Sequence, residues 1–174
     1  HLFMKTITSI LFIAMASTSF AQGDLRSVLL EQLKSTHNKS NWFVSANVAV
    51  DGVTAEQAAW KDKGNHSVGE LTHHIVFWNE RVLQELSGQK PADFNGKNDE
   101  TFDKFDKKSW ADLVKRLDAV NAGIEKVVQE ADEEKLKKIA GTIANVSAHN
   151  AYHTGQIVVV RKQQGSWDPA KGVN

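Results

Sequence analysis

Apolar residues recur every three to four positions in four stretches of this chain, the spacing that lays one face of an α-helix against a core. The first stretch carries Leu25, Val28, Leu29 and Leu33, with Asp24 as its expected N-cap, and fades near Lys39. The second opens at "SVGE", where Ser67 and Glu70 predict a capping box. It turns Val68, Leu71, Ile75, Trp78, Val82 and Leu86 inward until Gly88 stops it. "SWAD" repeats the device from Ser109, ahead of Trp110, Leu113, Leu117, Val120, Ile124 and Val127. A fourth helix is expected from about Thr142 to Gln164, with Gly165 as terminator.

Two long connections separate these stretches, at about residues 40–66 and 88–108. "TAEQAAW" in the first predicts a short helix, and "WFVSANVAV" is ambiguous between helix and strand. Pro91, Gly96 and "GKNDE" make the second irregular. It is long enough to let the third helix run parallel to the second. No strand-like alternation of useful length occurs, so the chain reads as all-α.

Composition narrows the function classes. Lys plus Arg and Asp plus Glu balance at 21 each, which gives no basic excess for a nucleic-acid partner. Met4 and Lys5 precede an apolar run from Ile7 to Ala16 and then "STSFA", with Ser19 and Ala21 at the positions of a signal-peptidase site. Residues 4–21 are therefore expected to be a signal peptide, and 22–174 the mature domain. The apolar run is shorter than the roughly 20 residues that cross a bilayer, so no stable anchor remains after processing. The expected location is outside the cytoplasm, periplasmic or secreted. With no cysteine in the sequence, a metal site must use His, Asp or Glu, and no thiol nucleophile exists.

The histidines separate by helical phase. Relative to the apolar stripe of the second helix, His74 lies about 80° away, at the core's border, and His73 about 180° away, toward solvent. His149 and His153 both fall within the stripe of Val146, Ile157 and Val160. Their directions differ by about 40°, the i, i+4 geometry by which two imidazoles converge on one ion. A single inward histidine is more often a hydrogen-bonded core residue. Three on converging faces call for a shared explanation, which a metal supplies. Rival motifs fail: Asn150 follows His149 where a zinc-protease helix needs Glu, and Glu70 with His73 lacks the second pair of a di-iron bundle. Glu70 reads as the helix cap. Glu80 lies about 120° from His74 and is no evident general base. Trp78 and Tyr152 are read as packing residues rather than pocket walls.

"HSVGELTHHIVFWNERVL" followed by "HNAYHTGQIVVVRKQQG" resembles the DinB/YfiT-like superfamily, over about residues 25–168, most specifically in HxxxHxGQ. The resemblance implies an up-down-down-up four-helix bundle, usually a homodimer. It also implies a divalent metal ion, zinc or nickel, held by His74, His149 and His153. Relatives include thiol S-transferases and a maleylpyruvate isomerase that use low-molecular-weight thiols in the cytoplasm. It therefore implies a metal-dependent hydrolase or thiol S-transferase with a small-molecule substrate that the kinship does not identify. A non-catalytic metal-binding or structural module is the alternative. Ala148, Tyr152 and Val159 form a second apolar strip on the last helix that suits the expected dimer.

Overall fold

A computed structural model of the chain describes residues 20–172, with side chains from residue 25 onward. Six α-helices carry it: α1 (Phe20–His37), α2 (Ala46–Val50), α3 (Ala55–Ala59), α4 (Val68–Leu86), α5 (Trp110–Glu130) and α6 (Glu133–Gln163). Among the described residues there is no strand and no helix long and apolar enough to cross a membrane. Of the expected signal peptide, residues 4–19 lie outside the described residues, and α1 begins with Phe20 and Ala21.

The direction of each long helix follows from what its ends touch. Near the start of α1, Arg26 donates to the carbonyls of Val128 and Gln129 at the end of α5, 2.9 Å each, and faces Glu133 at the start of α6. At the other end of α1, His37 meets Asp118 and Glu125 of α5. Helices α1 and α6 thus run one way and α5 the other. Arg116 of α5 grips Glu80 of α4, and Gly123 lies under Leu83, so α4 runs with α5. The result is an up-down-down-up bundle. Ala131 and Asp132 suffice to join the antiparallel α5 and α6, whereas the parallel α4 and α5 need the whole stretch from Ser87 to Ser109.

Two apolar clusters fill the bundle. Ile75, Leu117 and Ile157 anchor one, beneath α2 and α3; Ile124, Leu136 and Ile143 anchor the other, beneath α1. Each such fully buried side chain contributes about 2 kcal/mol. At their boundary sit three buried asparagines, one from each of α4, α5 and α6. Asn79 donates to Asn121 at 3.1 Å and to Asn150 at 3.0 Å, while Asn150 donates to Asn121 at 3.0 Å.

Several expectations need correction. The last helix starts nine residues before Thr142, capped by Asp132, whose side chain accepts from Lys135 N. Leu136, Ile139 and Ile143 continue the buried stripe through "EKLKK", and Gly141 sits within the helix without ending it. Ser109 stands at the N-cap position of α5, but its side chain makes no capping bond: it closes a 3-10 turn, Lys107–Ser109, and its hydroxyl donates to the Asp106 carbonyl instead. Asp24 lies inside α1 rather than before it. Val28, expected in the core, is 46% exposed.

Other local readings hold. "WFVSANVAV" resolves into α2, and "TAEQAAW" forms α3 with a Thr54–Gln57 capping box. The box of Ser67 and Glu70 is formed. Gly88 ends α4 at a φ of 76°, a conformation that other residues adopt only with strain.

Candidate metal centre

Antiparallel packing of α4 against α6 faces one histidine of α4 with two from successive turns of α6. The rings of His74, His149 and His153 form a triangle with centroid separations of 5.0, 4.6 and 4.6 Å. One nitrogen from each lies within 4.8 Å of the others, a group that could hold a metal ion. His74 and His153 are buried and His149 is half-buried.

Hydrogen bonding decides which nitrogen His74 and His153 present. The Thr101 hydroxyl has one proton and donates it to the Asn98 carbonyl at 2.6 Å. It therefore accepts from Nδ1–H of His74, 2.5 Å away, which leaves His74 Nε2 as a lone pair aimed into the cluster. His153 donates its Nδ1–H to Gln156 Oε1 at 2.6 Å, which likewise frees its Nε2. His74 Nε2 and His149 Nε2 approach to 3.0 Å. Two imidazole nitrogens on one tetrahedral ion, each at 2.0–2.1 Å, would sit about 3.3 Å apart, so the spacing suits a shared cation. A metal-bound histidine commonly gives its other N–H to such an oxygen, which orients the ring and raises its basicity.

The electrostatics agree with neutral ligands. Burial, then the neighbouring His153 and His149, lower the His74 pKa to about 3. Burial and His153 lower that of His149 to about 4. Burial also lowers His153, against the opposing bond to Gln156. His74 and His149 are therefore neutral imidazoles near neutral pH, the charge state in which the ring binds a cation.

The connection between α4 and α5 covers this cluster. Phe102 stacks on His74 at 3.9 Å and, on its other face, on His66 at 4.0 Å. Phe105 presses on α4 at Gly69, where a Cβ would come within 2.3 Å of the ring, so glycine is required there. The same connection corrects the reading of His73. Instead of facing solvent, it is half-buried and donates Nδ1–H to the Thr101 carbonyl at 2.7 Å. Helical phase identifies the face away from the bundle core, but a folded loop lies across it.

The three histidines chosen from periodicity are those that meet. Glu80 turns away, held by Arg116, and Glu70 is the cap, as expected. Trp78, read as packing, does pack against Phe77 and Phe94 and also lines a cavity beside His149, and Tyr152 is 65% exposed. Periodicity could not reveal Thr101 and Phe102, which lie in an irregular segment. Gln156 did carry a signal, since it stands three residues after His153 on the same helical face. A cavity of about 620 Å³ between α4 and α5 is lined by Glu80 and Arg116 and does not touch the cluster.

Comparison with curated proteins and with solved structures gave no match. The sequence profile of the DinB superfamily matches residues 45–159, a span that contains α4, the covering connection and both histidines of α6. An all-helical bundle, with three histidines meeting where α4 and α6 cross, accompanies a match over most of its length, and the chain belongs to the DinB superfamily.

Proposed function

We propose that His74, His149 and His153 hold one divalent ion, zinc or nickel, in a metal-dependent enzyme acting on a small molecule, as a hydrolase or a thiol S-transferase. The observation that carries this reading is the convergence of three imidazole nitrogens within 4.8 Å, two of them with their other nitrogen already committed to Thr101 and Gln156. Three neutral ligands leave a position free on such an ion, as in catalytic rather than structural sites. When bound, the ion would lower the pKa of water or of a thiol and so supply the nucleophile that this cysteine-free chain lacks. Thr101 and Gln156 hold the rings of His74 and His153 in one tautomer, and Phe102 stacks over His74. Export would make water the more available nucleophile, which favours hydrolysis.

The proposal includes export and a homodimer. The dimer draws support from the exposed strip of Ala148, Tyr152 and Val159, and light scattering that gives a monomer at high concentration would remove it. Export is tested by mass spectrometry of native material: a dominant soluble form that retains Lys5 counts against it. The central test assays ester, amide and thiol-acceptor substrates with metal-loaded, chelated and His153→Ala protein. Turnover in the loaded form alone supports the reading. Equal turnover in all three overturns the metal mechanism, and none in any makes the protein a non-catalytic metal binder.

A further inference from the structure

A cavity of about 390 Å³ opens between α4 and α6, with His149 in its wall. This is toward the lower end of small-molecule sites, roomy enough for a compact organic molecule. On α6 a single stripe lines it, Thr142, Asn145 and Val146 leading to His149 at successive three- and four-residue steps. Trp78 and Val82 of α4 face that stripe. Asn98 of the connection closes one side and accepts the Trp78 indole N–H at 3.2 Å.

The chemistry of this lining is consistent along its length: an indole, two valines, carboxamides and a hydroxyl, with no Asp, Glu, Lys or Arg. Charged groups nearby on α4 are occupied elsewhere. The Arg81 guanidinium lies over Phe77 and donates to the Ala92 carbonyl, and Glu80 is bound by Arg116. A carboxylate brought into this space would give up water without meeting a cation in the lining. An uncharged body would lose little and gain the Trp78 face.

We infer that this cavity binds an uncharged organic molecule, held by Trp78 and by hydrogen bonds to Asn98, Asn145 and Thr142, with any ligand charge confined to the atom that meets the histidines. The inference rests on the proposed function and adds its substrate class: a neutral ester, amide or thiol rather than one bearing a carboxylate on its body.

Phenylacetamide and phenylacetate share a shape and differ in charge, so they test the inference directly. Each is titrated into metal-free protein, with binding read from the Trp78 indole N–H resonance, assigned by its loss in Trp78→Phe. Phenylacetamide is expected to shift that resonance and to bind about tenfold more tightly than phenylacetate, the difference set by the anion's unpaired charge. Asn145 is exposed and its replacement leaves the core intact, so Asn145→Lys should reverse the order. Equal or tighter binding of phenylacetate to the unaltered protein, or no shift with either compound at millimolar concentration, overturns the inference. Metal content measured on the same preparations keeps the two ideas apart. A neutral preference in protein that never takes up metal leaves the cavity's ligand class standing and removes only the metal reading.

Discussion

Two polar clusters lie inside this bundle, and they are built to opposite ends. In the asparagine triad every bond pairs a donor with an acceptor, and Asn121 spends its own amide on the Leu117 carbonyl. In the histidine cluster His74 and His153 spend their Nδ1–H groups outward, on Thr101 and Gln156, and turn their Nε2 lone pairs toward the cluster. Satisfied buried polar groups fix the register of the helices that share them. Within the cluster His149 Nε2, 3.0 Å from His74 Nε2, can donate one hydrogen bond, and a bound cation would instead take up a lone pair from each ring. The first cluster ties three helices together, and the second is a group of ring nitrogens that could hold a metal ion.

Removing the ligand half should have the largest effect. Taking the free energy of a closed zinc site as shared among its ligands, His149→Ala with His153→Ala should cost about four orders of magnitude in zinc affinity. Without metal, the double variant should be no less stable than the parent. Competition with a chromophoric chelator and thermal unfolding in chelator read the two quantities. Metal retained by the double variant would dissolve the contrast.

Asn121→Ala should do the reverse. It strands the amides of Asn79 and Asn150 in the core, and unfolding should become easier by about 3 kcal/mol with metal stoichiometry unchanged. Denaturant titration of the loaded protein checks it. Thr101→Val comes next: loss of the acceptor for His74 Nδ1–H should weaken zinc binding by about 10 to 100-fold, and Thr101→Ser should restore it. Nitrogen NMR of the His74 ring would show the tautomer released in the first variant and fixed in the second.

Acidity separates the clusters more gently. In the folded metal-free chain His74 and His149 stay neutral down to pH values of about 3 and 4, whereas in the unfolded chain they take up protons below their ordinary 6.5. The unfolded state then binds more protons, so the stability of metal-free protein should fall as pH drops from about 6.5 toward 4 and be flat above. Replacing His149 by Leu should shallow that slope, measured as melting temperature against pH. Smallest of all is His73→Ala, which should leave metal content unchanged and cost about 1 kcal/mol through its bond to Thr101.

The meeting of His74, His149 and His153 was legible before the fold because the three lie on long, strongly periodic helices, where an angle computed from spacing is an angle in space. Periodicity also found Gly88, Gly165 and the Ser67 cap. It failed where the local signal and the tertiary context part. The last helix is expected to start at about Thr142, yet Leu136 and Ile139 are buried on a helix that already begins at Glu133. His73 has the phase of an outward residue, but the connection folds over it. Thr101 and Phe102 had no period to betray them, although they orient and cover His74.

The two-residue link between α5 and α6 bears on how the chain assembles. Contacts across that hairpin close a short loop, and contacts of low sequence separation form early and at small entropic cost. His149 and His153 are therefore placed on a helix that finds α5 quickly, while His74 reaches them only after α4 docks from 75 positions away in the sequence. The half of the cluster on α6 waits for the half on α4. A cation that bridges the two would act as a latch on the slowest part of the bundle, retarding its opening more than its closing.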